Sequence, residues 1–301
     1  MVLSVIKKRV MSWFAPQLGV LRQYSPRPLN LPQRYAQTGG PTRPPKISIV
    51  TPSYNQAAYL EGTVRSVVEQ GYPDLEYVVQ DGGSKDGSVE ILESYSDRLA
   101  FWESNKDKGQ TNAINLGFLH TSGEIMAYLN SDDMLLPGAL AYVAAYFETH
   151  PDVDVVYGHR IIIDETDQEI GRWILPPHDN EVLSWADFIP QETLFWRRRV
   201  WDKIGGSLDE SFHFAMDWDL LLRLRDSGAK FVRLPRFLAA FRVHPQQKTS
   251  TEITDTGFKE MGRLRERCHG RVVSAGEIKR GVAAYVARHI VYDKLQQWFR
   301  N

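Results

Sequence analysis

Short apolar runs and helical repeats alternate along most of this chain. Ile47-Ser48-Ile49-Val50-Thr51 reads as a buried strand, and Pro52-Ser53-Tyr54-Asn55-Gln56 as the loop at its end. From Tyr59 to Gln70, Leu60, Val64, Val67 and Val68 recur at helical spacing until Gly71-Tyr72-Pro73 stops them. The alternation continues with a strand over Leu75–Gln80, a helix over Val89–Tyr95 and a strand over Leu99–Glu103. A helix over Gln110–Leu119 and a strand over Glu124–Leu129 follow. Alternation of this kind predicts an α/β fold: a mostly parallel, Rossmann-type sheet flanked by helices, with right-handed crossovers. Three of these four strands run into polar loops, which gathers the loops along one edge.

The second half is more mixed. A helix is expected over Gly138–Thr149, a strand over Val153–Tyr157, and a hairpin joining Ile161–Ile163 to Ile170–Leu175. Gln191-Glu192-Thr193 falls at the end of a mixed, aromatic, strand-like stretch. A short helix over Val200–Ile204 and a longer one over Met216–Arg225 precede strands at Phe231–Leu234 and Phe237–His244. Beyond Lys248 the chain is charged and helical.

The flanks differ from this core. No Asp or Glu precedes Glu61, and prolines crowd between Pro26 and Pro45. The texture therefore divides into a basic, Pro-rich segment (1–45), a main domain (46–250) and a helical extension (251–301). Val5, Val10, Trp13, Phe14 and Leu18 can line one side of a short basic helix. Val282, Tyr285, Val286, His289 and Ile290 can do the same near the other end. Both suit either packing on the domain or peripheral contact with an anionic membrane. The apolar start is interrupted by Lys7-Lys8-Arg9, the wrong order for an export signal, and a cytoplasmic location is expected.

Composition narrows the chemistry. With 36 basic and 37 acidic residues the net charge is -1, which gives no sign of nucleic acid as a partner. Cys268 is the only cysteine, so neither an internal disulfide nor a cysteine-based zinc site is possible.

The chemistry concentrates at strand ends. Ala127-Tyr128-Leu129-Asn130-Ser131-Asp132-Asp133 breaks from a strand into adjacent carboxylates. Two acids emerging together repel each other, and a hard divalent cation, Mg²⁺ or Mn²⁺, relieves the repulsion. Seen alone, the same residues also suit a solvated turn before the next helix. Tyr54 offers a ring for stacking on a base, Asn55 an amide for base or ribose, and Asp81 an acceptor for a ring N–H. Lys108 precedes a helix start that can face phosphate. On the Met216–Arg225 helix, Asp217 and Asp219 point about 200° apart. Asp219 can pair with Arg223 on the helix surface, while Asp217 lies towards Leu220, Leu221 and Leu224 as a helix cap or a general base. His244 ends the last expected strand.

Together these residues resemble a family 2 inverting glycosyltransferase of the GT-A (nucleotide-diphospho-sugar transferase) fold, over about Lys46 to Lys248. Ile47 to Asn55 is similar to the family's opening strand and base-contacting loop, including Pro52. Asp81-Gly82-Gly83-Ser84-Lys85-Asp86-Gly87 resembles its Asp-Asp-Gly-Ser-Thr-Asp-Gly, which implies that Asp81 holds the base. Leu129 to Asp133 sits where the family carries an Asp-x-Asp metal motif. The resemblance implies a metal on Asp132 and His244, with Asn130 and Ser131 beside the nucleotide sugar. Met216 to Leu224 resembles the helix bearing the catalytic base, which implies that role for Asp217. Gln191, Glu192 and Thr193 are the candidates for the acceptor side, with a surface loop as the alternative. Three positions depart from the family pattern: Gly82 and Asn130 replace acids, and Met216 stands where a Glu often precedes the base. The implied reaction moves a sugar from a nucleoside-diphosphate sugar to a saccharide or lipid-linked acceptor in cell-surface polysaccharide assembly. A non-catalytic sugar-nucleotide-binding protein on the same fold is the alternative. A nucleotidyltransferase fits less well, because Thr51 to Gln56 contains no basic residue for a triphosphate.

Overall fold

The computed structural model describes residues 23–247 and 253–298. Its centre is a run of parallel strands: β2 (Ile47–Ser53), β3 (Leu75–Asp81), β4 (Phe101–Ser104) and β5 (Ile125–Tyr128). Helices α1 (Ala57–Val68), α2 (Ser88–Ser94) and α3 (Gln110–Leu119) make the connections. β2 pairs parallel with both β3 and β5, and β3 with β4. Every residue of β2 is buried, as expected of a strand covered on both faces.

The chain steps from β2 through β3 to β4 in one direction, then returns to place β5 on the other side of β2. That reversal opens a crevice at the carboxyl ends of β2 and β5, the usual ligand position in such sheets. The polar loops after both strands therefore face one another.

The rest of the sheet is mixed. β6 (Met134–Leu135) is followed by α4 (Ala139–Thr149), β7 (Val155–Ile163) and β8 (Glu169–Trp173). The short α5 (Asn180–Leu183) leads to β9 (Phe195–Arg197), which runs antiparallel between β5 and β7. Helices α6 (Arg198–Lys203) and α7 (Met216–Asp226) precede β10 (Phe231–Arg242), which pairs parallel with β7 and antiparallel with β6. The expected strands at 153–157 and 161–163 are one strand. Gly158 bridges them because a Cβ there would come within 2.6 Å of the Arg236 carbonyl on β10. The expected strands at 231–234 and 237–244 are likewise one, with Pro235 accommodated where the register shifts. It ends at Arg242, so His244 lies just beyond it.

The flanking segments join this body. β1 (Gln23–Arg27), absent from the sequence reading, pairs antiparallel with β8. Arg27 and Arg172 both hold Glu169, which is buried in that edge. Thr42 and Arg43 donate backbone N–H groups to Glu148 on α4. At the other end, α8 (Phe258–His269) packs on α7, and α9 (Ala275–Trp298) on α5 and the stretch 185–188 that follows it. Leu264, Val282, Tyr285 and Val286 are buried in the same apolar cluster as Trp218 and Leu221. The apolar stripe of α9 is thus turned inward, against the domain. The corresponding stripe at 5–18 lies outside the described residues. No helix among the described residues is long and apolar enough to cross a membrane.

Candidate active site

Two chambers open from the crevice. The first, of about 850 Å³, is bounded by the ends of β2, β3 and β5 and the loop before α3. The second, of about 490 Å³, lies between the segment 186–192 before β9, the start of α7 and α8. Asn130, Asp133, Phe241 and Gln247 contribute to the walls of both.

In the first chamber Tyr54 is 63% exposed and presents its ring to the cavity over buried Pro52. Asn55 points elsewhere. It adopts φ 51°, and its Oδ1 accepts the Lys85 N–H at 3.0 Å, tying the β2 loop to the β3 loop. Asp81 is fully buried. Its carboxylate accepts from the Gly83 and Ser84 N–H groups and from the Ser84 and Ser104 hydroxyls, at 2.6–3.0 Å. It organises the loop rather than lining the cavity. The lysines on the chamber wall are Lys85 and Lys106, whereas Lys108 is exposed beside it.

Asn130 sits between two other amides. Its Oδ1 accepts from Gln110 at 2.7 Å, its Nδ2 donates to Gln191 at 3.1 Å, and Gln191 donates to the Tyr128 carbonyl at 2.7 Å. An acid at this position could not donate to Gln191, which gives the departure from Asp-x-Asp a physical reason. Ser131 is buried alongside.

The adjacent acids have separate environments. Asp133 is buried and accepts the Arg242 N–H at 3.0 Å. Burial, then the charge of Asp132, pushes its pKa well above the usual carboxylate range. Asp132 is part-exposed on the cavity, with Oδ2 3.0 Å from His244 Nε2. His244 is buried, its ring 4.6 Å from that of Tyr59, and its Nδ1 has no hydrogen-bond partner among the described residues. Among the described residues no group of three or more His, Cys, Asp or Glu forms a ready cation cage. A cavity-facing carboxylate beside an imidazole nevertheless suits a cation that takes its other ligands from phosphates and water, the usual habit of Mg²⁺.

The second chamber holds Asp217 on the first turn of α7. Asp217 is half-buried, and its Oδ1 accepts the Trp218 N–H at 2.8 Å. Asp219 corrects the expectation of a surface pair: it is fully buried, held by Arg223 at 2.8 Å and by Arg267 of α8 at 2.6 Å. Asp187, missed in the sequence, lines the same chamber as Asp217. Burial, then the charge of Asp217, pushes the Asp187 pKa well up.

Gln191–Thr193 form a 3₁₀ turn before β9 rather than the end of a strand. Gln191 and Glu192 line the second chamber, and Glu192 pairs in bidentate fashion with Arg160 at 2.7 and 2.5 Å. Arg160 in turn lies over the rings of Phe241 and Trp173, at 4.4 and 5.2 Å. Thr193 is fully buried, and its hydroxyl contacts the Gly158 backbone away from the chamber.

A parallel sheet with its loops at a switch point, widened by antiparallel strands into a second chamber, defines a GT-A-type glycosyltransferase fold. The family model "Glycosyl transferase family 2" matches residues 48–207, and the chain belongs to that family. An uncharacterized glycosyltransferase of Nostoc sp. is 32% identical over 230 residues, covering 71% of this chain and 70% of the relative. A PGL/p-HBAD biosynthesis glycosyltransferase of Mycobacterium bovis is 29% identical over 200 residues, covering 65% of this chain and 76% of its own. Among solved structures, S. aureus TarS 1-349 in complex with UDP-GlcNAc superposes with a TM-score of 0.62 at 17% identity, over 82% of this chain and 73% of TarS. A mannosyltransferase from Pyrobaculum calidifontis, in complex with GDP-Man and Mn²⁺, gives 0.61 at 19% identity, over 94% and 76%.

Proposed function

We propose that this glycosyltransferase transfers a hexose from a nucleoside-diphosphate sugar in the first chamber to a saccharide or lipid-linked acceptor in the second, with inversion. The observation that carries this reading is the division of acids across a shared wall: Asp132 faces one chamber and Asp217 the other. Tyr54 stacks on the nucleobase, Lys85 and Lys106 face the negative charge of the donor, and Asn130 borders the sugar. Asp132 and His244 hold a divalent cation, Mn²⁺ or Mg²⁺. Bound there, it would supply positive charge against the diphosphate of the donor.

Asp217 takes the proton of an acceptor hydroxyl. That oxygen forms the new bond at the anomeric carbon from the face opposite the diphosphate, which leaves with the electron pair of the broken bond. Asp187, on the wall of the same chamber, hydrogen-bonds the acceptor and orients it. Glu192 and Gln191 form the floor on which the acceptor rests. The UDP-GlcNAc and GDP-Man bound by the two structural neighbours support a nucleotide-sugar donor. The mycobacterial relative, a PGL/p-HBAD biosynthesis glycosyltransferase by name, supports a biosynthetic role, which we place in cell-surface polysaccharide assembly.

The test is Asp217→Asn, assayed with a nucleotide-sugar panel by nucleoside-diphosphate release. General-base loss lowers kcat by about 10²–10⁴-fold, while donor Kd stays near wild type. Turnover within a few-fold of wild type refutes Asp217 as the base. A non-catalytic binder instead shows donor binding with no turnover in the wild-type chain.

A further inference from the structure

Gly82 stands where the family pattern has an acid, and the space for that side chain is already taken. A Cβ built on Gly82 would lie 2.9 Å from Asp107 Oδ2 and 3.2 Å from Cδ2 of Tyr54. Gly82 is absent from the positive-φ glycines, so what this position requires of glycine is room, not an unusual backbone. The carboxylate that fills the room comes from the loop before α3, further along the chain.

Asp107 is held for use rather than fully engaged. Its Oδ1 accepts the Gly109 N–H at 2.8 Å, which fixes the side chain. Oδ2 meets no donor among the described residues, and Asp107 lines the first chamber beside Tyr54. Asp81, by contrast, is fully buried with its carboxylate committed to four donors.

We propose that Asp107, in place of residues 81 and 82, reads the nucleobase of the donor. This rests on the first chamber being the donor site. With the base on the Tyr54 ring, Asp107 Oδ2 accepts the ring N–H of a uracil or guanine. Adenine and cytosine present a ring acceptor on the same edge, which the carboxylate repels. Asp107 is then a specificity-determining residue, and Gly82 is its permissive partner.

The experiment is calorimetric titration of UDP, GDP, ADP and CDP, in Mn²⁺ buffer, into the wild-type chain and three variants. Wild type should favour UDP or GDP by about 10-fold or more over ADP and CDP. Asp107→Ala should lose about 10- to 100-fold for the favoured nucleotide and little for the others. Asp107→Asn keeps the Gly109 hydrogen bond but turns a donor to the base, and should shift preference towards ADP or CDP. Gly82→Asp/Asp107→Ala returns an acid to the vacated space and should recover most of the lost affinity. An equal loss for all four nucleotides, or unchanged binding in Asp107→Ala, overturns the assignment alone. Failure of wild type to bind any of the four overturns the donor-site reading and this assignment with it.

Discussion

Replacing Glu260 with alanine tests how α7, the helix that carries Asp217, is held in place. Glu260, on the first turn of α8, is 5% exposed. Its Oε1 accepts the His213 N–H at 2.9 Å, and its Oε2 accepts those of Phe214 and Ala215, both at 2.8 Å. These N–H groups lead directly into the first turn of α7, two residues before Asp217. Helix starts leave such donors without partners, and here a carboxylate from a distant helix supplies the cap. A hydrogen bond to a charged group contributes about 1.5–3 kcal/mol net. Three bonds sharing one carboxylate are not additive, and water reaches part of the vacated site. Glu260→Ala should therefore cost about 3–5 kcal/mol. Glu260→Gln keeps one oxygen for Phe214 and Ala215 but turns an amide N–H towards the His213 N–H, costing about 1–3 kcal/mol.

Urea unfolding followed by tryptophan fluorescence reads these losses. The midpoint for Glu260→Ala should fall by about 1–2 M. kcat should fall with it, because the Asp217 turn loosens, while donor Kd changes little. pH gives a second signature. Burial pushes the Glu260 pKa up, but the N–H groups of His213, Ala215 and Phe214 more than compensate and hold it below the ordinary glutamate range. Stability from a lowered pKa is fully present above the unfolded value of about 4.3 and is lost as pH falls through the folded value. The gap between wild type and Glu260→Gln should therefore be constant at neutral pH and narrow below about pH 4. An unchanged urea midpoint and kcat in Glu260→Ala refute the capping argument. A gap that widens on acidification refutes its electrostatic part.

Two further outcomes follow from the first chamber. Asp132→Ala should weaken donor binding in Mn²⁺ but not in chelator, because it removes the carboxylate beside His244. Equal weakening in both media would show that Asp132 binds no cation. Asp81→Ala should cost about 3 kcal/mol in urea unfolding, since it strips four donors of a buried acceptor, yet leave the order of nucleotide preference intact. A lost base preference at unchanged stability would return the reading role to Asp81.

The elements that could be read from sequence are those whose burial pattern is local. β2, β3 and β5 are largely buried, so their apolar runs announce themselves. The helices between them carry their own stop signals. β1 gives no such sign. Gln23–Arg27 contains Pro26 and lacks alternation, and it becomes a strand through pairing with the β8 edge. The acids of α7 show the same limit in the site. Helical geometry correctly separates Asp217 from Asp219, but which side meets solvent depends on α8. That helix brings Arg267 across 48 residues to the Asp219 carboxylate, at 2.6 Å, and puts it in the interior. Gly82 and Asp107 illustrate it again: a missing acid is visible in sequence, while its replacement from another loop appears only after folding.

The same distinction separates the two chambers. The first is assembled from the ends of consecutive strands, each a short motif in one stretch of chain, and the family model spans nearly all of them. That match stops at residue 207, before Asp217, His244 and Glu260. The second chamber draws Asp187 from the approach to β9, Arg160 from β7, Asp217 from α7 and Arg265 from α8. Arg265 lies over the Trp218 ring at 5.1 Å, so α8 clasps α7 at its start, through Glu260, and along its length. A donor is common to many acceptors, and its site can remain a compact set of strand-end motifs. The second chamber, the acceptor side under the proposed function, is built from separate segments that meet only in the folded chain. If Asp217 is the base, as proposed, α8 belongs to the catalytic apparatus in a physical sense, because it holds the turn from which Asp217 faces the second chamber.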